Sequence, residues 1–292
     1  MENILEVDSV TKTFKDFSLK DVTFSLKRGY IMGFIGPNGS GKSTTIRCIM
    51  DLMHIDNGRI KMFGLDFHKN MKKLKQHIGF VYDQDVFFDE LTVEKNKRII
   101  SSFYEQWDEE AFNRYINDFG VPLNKPVKSL SKGTKMKFAL AIALSHHAEL
   151  IIMDEPTSGL DPVFRKELLD ILLDIIQDEN KAIFFSTHIT TDLEQVADYI
   201  TFILDGKILF SKETEALMED FVIVKGGKNS KEIVRGCHPL MIKESSLGFE
   251  AFMKKEDANK IKPGSNLKLE RPTLEEIMYY LVKSQQQMER RF

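Results

Sequence analysis

The sequence of 292 residues is 42% apolar and 29% charged, with a net charge of −3 at pH 7. This balance is typical of a globular protein with one large domain or two unequal ones, and it excludes intrinsically disordered and fibrous classes. The longest apolar runs are far shorter than the roughly 18 residues that span a bilayer, so no membrane span is expected. The two cysteines, Cys48 and Cys237, are too few for a disulfide framework, and a reducing cytosol is expected.

The chain begins with strand-like segments. Apolar and polar residues alternate at 4–10 and 22–26, which predicts antiparallel strands with one buried face. The continuous apolar run at 30–35 predicts a strand that is buried on both faces. Later runs of the same kind, separated in several places by helix-like segments at 163–177 and 191–197, lie at 78–82, 150–153, 183–186 and 199–204. We therefore expect an α/β fold with an antiparallel β subdomain and a mainly parallel core sheet.

Residues 90–148 have a different character. They show helical periodicity and few strand signals, and they contain the only tryptophan, Trp107, which predicts a helical subdomain inserted into the α/β core. A two-residue hairpin signal, Asp205-Gly206, indicates that the core sheet ends near residue 211. We accordingly predict one domain over residues 1–215.

Residues 216–292 are predicted to form a small separate α+β domain. Short strand-like segments are interrupted by glycine and proline, and the last helix is predicted to begin at a capping box between Thr273 and Glu276. Within residues 225–292, basic residues are in excess, but they are scattered rather than clustered. No nucleic-acid partner is therefore expected.

A glycine-rich segment follows the predicted strand at 30–35 and precedes a helical run at 44–53. It matches the pattern G-x-x-x-x-G-K-[ST] in the strand–loop–helix context that phosphate binding requires. The backbone N–H groups of such a loop converge on a polyphosphate, Lys42 would bridge the β- and γ-phosphates, and Ser43 would bind Mg²⁺. The predicted nucleotide contacts are Gly36, Pro37, Asn38, Gly39, Ser40, Gly41, Lys42, Ser43 and Thr44.

The apolar run at 150–153 ends in two carboxylates. Asp154 at the tip of this strand would hold Mg²⁺, and Glu155 would polarise an attacking water. An apolar run that ends in two acids is weak evidence by itself, because strands often end in solvated acids. Combined with the phosphate-binding loop, it becomes strong evidence for a site that hydrolyses a nucleotide.

Further motifs resemble those of the ATP-binding-cassette (ABC) family over residues 1 to about 211. Residues 130–134, Leu-Ser-Lys-Gly-Thr, are similar to the family's signature motif, and residues 158–161, Ser-Gly-Leu-Asp, are similar to its D-loop. His188 follows an apolar strand and resembles the family's switch histidine. A histidine in such a place is usually structural when it stands alone, but the order of the motifs favours the catalytic interpretation.

The resemblance also implies which residues contact the nucleotide. Ser131, Gly133 and Asp161 are implied by the signature motif and the D-loop. Phe14 occupies the place of the aromatic residue that stacks on adenine. Packing of Phe14 in the core is the alternative, with Phe17 as the competing stacking residue.

The sequence departs from the family pattern at two motifs. In the signature motif, Lys132 and Thr134 replace a glycine and a glutamine. At the Q-loop, Asp83 stands where glutamine is usual and Gln84 follows it. Either side chain would sense Mg²⁺ and the attacking water, and Asp83 is favoured because exporter ATPases of this type often carry an acid there.

The resemblance implies that the chain is a Mg²⁺-dependent ATPase. The signature helix of one subunit meets the γ-phosphate bound by another, so the resemblance implies a homodimer or heterodimer that encloses two ATP molecules. A separate transmembrane permease is expected to dock on the helical subdomain near residues 83–96, with the chain peripheral on the cytoplasmic face of the cell membrane. The pattern resembles bacterial exporter subunits of the bacitracin and acetoin type.

Two other functions compete with transport. A non-transport ABC ATPase that acts on ribosomes or nucleic acid is disfavoured, because tandem translation factors need two cassettes and chromosome-type members carry long coiled-coil insertions. An adaptor that binds ATP without hydrolysing it is disfavoured by the presence of Glu155 and His188.

Overall fold

The computed structural model describes residues 2–82, 87–261 and 266–289, with the backbone alone for residues 287–289. The chain divides into two compact units, Met1–Ser211 and Lys212–Phe292. The division falls within a strand, a few residues before the predicted domain boundary. Among the described residues, no helix combines the length and the apolar character needed to cross a membrane.

The first unit alternates strands and helices along most of its length. In chain order its elements are β1 (Asn3–Thr13), β2 (Ser18–Lys27), β3 (Ile31–Ile35), α1 (Lys42–Ile49), β4 (Asn57–Met62), β5 (Leu65–Asp66), α2 (Phe67–Leu74), β6 (Ile78–Val81), α3 (Val93–Ser101), α4 (Glu109–Asp118), α5 (Lys132–Ser145), β7 (Leu150–Asp154), α6 (Pro162–Ile175), β8 (Ala182–Thr187), α7 (Thr190–Val196), β9 (Tyr199–Leu204) and β10 (Lys207–Glu213).

Two sheets share one hydrophobic core. The antiparallel sheet has the order β2-β1-β4-β5, and the core sheet has the order β10-β9-β3-β8-β7-β6. The rings of Phe24, Phe34 and Phe184 lie 5.3–5.5 Å apart and join β2 to β3 and β8. Every residue of β3, β7 and β8 is buried, which explains why these strands begin with continuous apolar runs rather than alternating ones.

The register of the core sheet brings distant motifs to one edge. β3 is parallel to β8 and β9, and β7 is parallel to β6 and β8. Ile35 pairs with Thr187, and Asp154 pairs with Ser186. The segments that follow β3, β7 and β8 therefore emerge together at the carboxyl edge of the sheet, where open α/β sheets bind ligands.

Helix α1 is shorter than the sequence indicates. The helical run was expected to extend to residue 53, but the helix ends at Ile49. Met50 caps the helix, and Asp51 takes a left-handed conformation with φ of +52°. A residue with this backbone geometry cannot continue a right-handed helix, so the apolar residues that follow belong to a turn.

Helices α3, α4 and α5 have a core of their own. This cluster includes Val93 on α3, Phe112 on α4 and Phe138 on α5, and Trp107 packs against it. Side chains cap all three helices: Thr92, Asp108 and Ser131 accept hydrogen bonds from the third residue that follows each of them. The helical subdomain predicted from periodicity is present in the structure.

The second unit is an α+β structure. Its elements after the shared strand β10 are α8 (Thr214–Asp220), β11 (Phe221–Gly226), α9 (Lys231–Arg235), β12 (Met241–Glu244), β13 (Phe249–Lys254), α10 (Lys255–Ala258), β14 (Lys268–Glu270) and α11 (Leu274–Glu289). The antiparallel sheet has the order β12-β13-β11-β14. On one of its faces, the ring of Phe252 stacks between those of Phe221 and Tyr280, with centroids 4.9 and 5.0 Å apart.

The predicted capping box forms at the start of α11. The Thr273 backbone N–H donates to Glu276 Oε2 at 2.9 Å, and the Glu276 N–H donates to Thr273 Oγ1 at 3.2 Å. The fold class predicted from the sequence is thus confirmed in its components: an antiparallel β subdomain, a mainly parallel core sheet, a helical subdomain and a small α+β unit.

Candidate functional site

In the loop between β3 and α1, the backbone passes close to residues of other segments. Gly41 precedes α1 with φ of +110°, and a Cβ atom there would lie 2.7 Å from Leu19 Cδ2 and 2.9 Å from Phe17 Cζ. A Cβ atom at Gly36 would lie 2.3 Å from the carbonyl oxygen of Ile203. Both positions require glycine, which leaves the backbone N–H groups of the loop uncovered by side chains.

Lys42 is the first residue of α1 and is 6% exposed. Its Nζ donates to the carbonyl oxygen of Gly36 at 2.8 Å and contacts that of Pro37 at 3.4 Å. It also lies 3.3 Å from Oε1 of Glu155, whose side chain is 15% exposed. The ammonium group is thus held at the loop by two carbonyl oxygens and one carboxylate.

Asp154, at the end of β7, accepts hydrogen bonds from two hydroxyl groups. Ser43 Oγ donates to Asp154 Oδ1 at 3.2 Å, and Ser186 Oγ, from β8, donates to the same oxygen at 2.6 Å. Hydroxyl and carboxylate oxygens are the protein ligands that Mg²⁺ prefers, and Mg²⁺ usually takes one or two of them beside substrate phosphates and water. The described residues contain no cluster of three His, Cys, Asp or Glu side chains suited to a metal. The Ser43–Asp154 pair fits Mg²⁺ because this ion does not need such a cluster.

Glu155 has an unusual backbone and two charged or polar partners. Its φ of +50° lies in the left-handed region, which a residue other than glycine adopts at a cost of about 1–3 kcal/mol and which is often found at functional sites. Its Oε2 accepts from His188 Nδ1 at 2.8 Å, while Oε1 faces Lys42. The carboxylate is therefore fixed between a cation of the loop and an imidazole that is 45% exposed.

A cavity of about 740 Å³ opens over the loop. This volume is within the usual range of small-molecule sites. It brings together parts of the predicted site that lie far apart in the sequence. Its lining residues are Asp16, Phe17, Asn38, Gly39, Gly41, Lys42, Ser43, Thr44, Glu155, Ser158 and His188.

Phe14 and Phe17, the two candidates for stacking on adenine, lie in different positions. Phe17 lines the cavity, whereas Phe14 does not and is 38% exposed. The Phe14 N–H donates to the carbonyl oxygen of Phe17 at 2.8 Å and closes the loop between β1 and β2. The ring centroids are 6.2 Å apart, so the rings belong to one loop although only Phe17 faces the cavity.

The signature residues lie outside the cavity wall. Ser131 caps α5, and its Oγ accepts from the Thr134 N–H at 3.1 Å and lies 2.8 Å from Thr134 Oγ1. Gly133 faces Phe164 on α6, since a Cβ atom there would lie 2.8 Å from Phe164 Cδ1. Thr134 thus hydrogen-bonds to Ser131 at the position where the family motif has glutamine.

Asp161 caps α6 by accepting from the N–H groups of Val163 and Phe164 at 3.1 and 3.0 Å, so the structure assigns it a capping contact. Asp83 and Gln84 lie outside the described residues. The strand that precedes them ends beside Tyr82, whose hydroxyl accepts from Arg47 Nε of α1 at 2.9 Å.

Sequence reasoning missed Ser186 altogether. It lies two residues before His188 within an apolar strand, and a serine in that setting has no pattern of its own. The only signal for it is indirect: parallel pairing of β7 with β8 would place it beside Asp154.

Comparison with known proteins identifies the family. Residues 19–158 match the family described as ABC transporter. The bacitracin transport ATP-binding protein BcrA of Bacillus licheniformis is 34% identical over 212 residues, which cover 72% of this chain and 69% of that protein. The chain belongs to the ABC transporter ATP-binding proteins. The family predicted from the motifs is thereby confirmed.

Other ABC transporter proteins extend the likeness. The ABC transporter ATP-binding protein YtrB of Bacillus subtilis (strain 168) is 30% identical over 207 residues, covering 71% of this chain and 70% of that protein. A solved ATP-binding subunit of an ABC transporter has a TM-score of 0.67 at 28% identity and covers 73% of this chain and 91% of the solved one. As an ABC transporter ATP-binding protein the chain binds ATP, and membership in the family implies ATPase activity.

Proposed function

We propose that this ABC transporter ATP-binding protein hydrolyses Mg-ATP to power a separate transmembrane permease, as the energy-supplying subunit of an exporter on the cytoplasmic face of the cell membrane. The observation that carries the proposal is the position of the Glu155 carboxylate between Lys42 Nζ and His188 Nδ1 at the phosphate-binding loop. A carboxylate so placed is suited to accept a proton from water.

The triphosphate of ATP would lie over the loop of residues 36–43. The N–H groups of the loop and the N-terminus of α1 attract its negative charge. The Nζ of Lys42 is now held by two carbonyl oxygens and by the Glu155 carboxylate. When ATP binds, Lys42 would leave Glu155 and contact the β- and γ-phosphates. The adenine would lie at the end of the cavity formed by Asp16 and Phe17.

Mg²⁺ would be held by Ser43 and Asp154 together with phosphate oxygens. When bound, the ion would neutralise part of the charge on the phosphates. The fit rests on the two oxygen ligands, which already lie 3.2 Å apart at the end of β7. Asp83 remains a further proposed ligand from the Q-loop.

Hydrolysis would be carried out by Glu155 with His188. Glu155 would take the proton of the attacking water through one carboxylate oxygen, while the His188 N–H would hold the other. Release of Lys42 to the phosphates would leave Glu155 Oε1 without its cationic partner and open to the attacking water. ATP binding would therefore free the general base as well as supply the substrate.

A second subunit would complete the site. Ser131 and Gly133 lie outside the wall of the cavity that contains Lys42 and Glu155. Ser131 is at the N-terminus of a 14-residue helix, where a hydroxyl and backbone N–H groups can receive a phosphate oxygen. We propose that these residues meet the γ-phosphate bound by the partner subunit, in a homodimer or a heterodimer that encloses two ATP molecules.

The permease would dock on the helical subdomain, beside the segment that follows β6. Phe88 is 57% exposed there, which is unusual for a large apolar side chain. Its backbone is fixed by the buried Asn96, whose Oδ1 accepts from the Phe88 N–H at 2.8 Å and whose Nδ2 donates to the Phe88 carbonyl at 3.0 Å. A rigid backbone that presents an exposed aromatic ring is suited to bind a partner protein. The likeness to a protein named for bacitracin transport supports transport as the function.

Purification of the tagged chain from its native membranes tests this proposal. We expect a transmembrane permease to co-purify, and we expect the pair, reconstituted in vesicles, to hydrolyse ATP faster than the chain alone. Recovery of the chain with no integral membrane protein would contradict the proposal. Hydrolysis stimulated by RNA or DNA instead of the permease would favour the ribosome or nucleic-acid function.

Two matched variants test the docking surface. Phe88→Ser should reduce recovery of the permease, whereas Phe103→Ser should not, although Phe103 is also exposed and lies beyond the opposite end of α3. Equal recovery with both variants would mean that Phe88 is not part of the docking surface.

A further inference from the structure

Ser186 is a buried residue of β8 that contacts Asp154 at the carboxyl end of β7. It is fully buried, and in the parallel register it lies beside Asp154 on one neighbouring strand and Phe34 on the other. Because the side chain is fully buried, its hydroxyl group must find its hydrogen-bond partners within the protein.

The hydroxyl of Ser186 has one donor role and one acceptor role. Its O–H donates to Asp154 Oδ1 at 2.6 Å, since a carboxylate can only accept. Its oxygen accepts from the Glu155 backbone N–H at 3.1 Å, and the Ser186 carbonyl oxygen accepts from the same N–H, also at 3.1 Å. One residue thus bonds to Asp154 at the end of β7 and to Glu155, which follows it.

The contact with Asp154 restrains the side chain of a proposed metal ligand. A bond of 2.6 Å from a hydroxyl to a carboxylate is charge-assisted and is among the stronger hydrogen bonds in proteins. It fixes the direction of Oδ1, and the weaker contact from Ser43 at 3.2 Å is left free to rearrange when Ser43 binds an ion. Hydrogen bonds of this kind to metal ligands commonly change metal affinity by roughly 10–100-fold when they are removed.

The contacts with Glu155 restrain its backbone. A left-handed φ of +50° persists only where the surroundings determine it, and the Glu155 N–H is held by two acceptors of the same residue. This geometry turns the chain so that the Glu155 carboxylate reaches Lys42 and His188 rather than continuing along the strand.

We propose that Ser186 is a positioning residue that sets the Mg²⁺ affinity of Asp154 and the orientation of the general base Glu155. The inference rests on the proposed Mg-ATP hydrolysis at this site. Its effect should be confined to steps that involve the two acids, because Ser186 makes none of the contacts of Lys42 with the loop.

Ser186→Ala is the test variant, and Ser145→Ala is its matched control. Alanine removes the hydroxyl with little change in volume. Ser145 is also fully buried, but its hydroxyl donates to the carbonyl oxygen of Ala141 within α5, away from the site. Ser186→Cys, which keeps a weak donor, should give an intermediate effect.

The deciding measurement is the affinity for Mg²⁺ of the ATP complex, titrated by calorimetry in the Glu155→Gln background so that ATP is not consumed. We expect Ser186→Ala to weaken Mg²⁺ binding by roughly 10–100-fold and Ser145→Ala to leave it unchanged. Affinity for ATP in the presence of EDTA should be the same in all variants. The turnover of Ser186→Ala with intact Glu155 should fall even at saturating Mg²⁺, because the Glu155 N–H keeps only its carbonyl acceptor and the general base is held less firmly.

Three outcomes bear on the inference differently. Unchanged Mg²⁺ affinity in Ser186→Ala, beside a Mg²⁺-dependent parent, would overturn it. Equal losses of Mg²⁺ affinity in Ser186→Ala and Ser145→Ala would also overturn it, because the effect would then belong to the fold as a whole. If ATP binding and hydrolysis by the parent protein did not depend on Mg²⁺, the proposed function on which the inference rests would be refuted instead.

Discussion

Replacement of Glu155 by glutamine separates nucleotide binding from hydrolysis. Glu155→Gln keeps the shape of the side chain and a hydrogen bond to His188, but it removes the charge that faces Lys42 and the basic oxygen that would accept a proton. The contacts of Lys42 with the loop carbonyls remain. We therefore expect ATP to bind to a protein that hardly hydrolyses it.

The expected changes in turnover and in ATP affinity can both be given a magnitude. Loss of a general base lowers turnover by roughly 10²–10⁴-fold, which raises the barrier by about 3–5 kcal/mol. At a separation of 3.3 Å, Lys42 and Glu155 attract each other by about 5 kcal/mol at an effective dielectric constant of about 20. Solvation and the carbonyl partners of Lys42 reduce the net value to on the order of 1 kcal/mol. Because this attraction competes with the phosphates, its removal should strengthen ATP binding by up to about fivefold.

The variant also reports on assembly. If ATP joins two subunits, Glu155→Gln should have twice the mass of the 33.7 kDa chain with ATP and the mass of one chain with ADP. Phosphate release measures turnover, calorimetry measures affinity, and light scattering after size exclusion measures mass. Glu149→Gln is the matched control, since Glu149 precedes the opposite end of β7 and pairs with Arg28 and His77.

Several results would refute this reasoning. Turnover of Glu155→Gln within about tenfold of the parent would exclude Glu155 as the general base. Markedly weaker ATP binding would mean that the carboxylate supports Lys42 rather than competing with the phosphates for it. The same mass with ATP, ADP and no nucleotide would exclude an ATP-bound homodimer of the isolated chain and favour a heterodimer or a dimer that needs the permease.

Three further predictions concern binding and stability. Lys42→Ala should weaken ATP binding by about 10–100-fold without loss of helical circular dichroism, since charged hydrogen bonds contribute about 1.5–3 kcal/mol each; parent-like affinity in calorimetry would contradict its role. Phe17→Ala should lower ATP affinity several-fold and by more than Phe14→Ala, because stacking contributes about 0.5–1.5 kcal/mol and only Phe17 lines the cavity. The reverse order would make Phe14 the stacking residue. Burial lowers the pKa of His146 from its ordinary 6.5 to about 4, so the unfolded chain takes up a proton before the native one does. The free energy of unfolding should fall by up to about 3 kcal/mol as the pH drops from 6.5 to 4, and urea titrations should show a smaller fall for His146→Gln.

The sequence alone determined the parts of the protein that depend on contiguous residues. The loop of residues 36–43 could be recognised because phosphate binding needs glycines, a lysine and a hydroxyl at adjacent positions after a buried strand. The strands of the core sheet could be recognised because burial on both faces demands an unbroken apolar run. The capping box of α11 is likewise a pattern of two residues one helical turn apart.

Local patterns were insufficient where a single backbone torsion or a short element decided the outcome. Apolar residues after Ile49 suggested a longer α1, but the left-handed Asp51 ends it. In the second unit, β14 and the short helices α8, α9 and α10 were not predicted. Elements of three to seven residues contain too few repeats of a period to stand out from a loop.

Only the tertiary structure decided which distant side chains meet. Glu155 follows β7 and His188 follows β8, and their contact at 2.8 Å requires the two strands to be parallel neighbours in one register. The same register brings Ser186 against Asp154, a pairing that no property of the segment around Ser186 reveals. Periodicity reports which face of an element is buried, but it carries no information about the neighbour that buries it. That neighbour is set by strand order and register, which is why the motifs could be predicted and the hydrogen bonds between them could not.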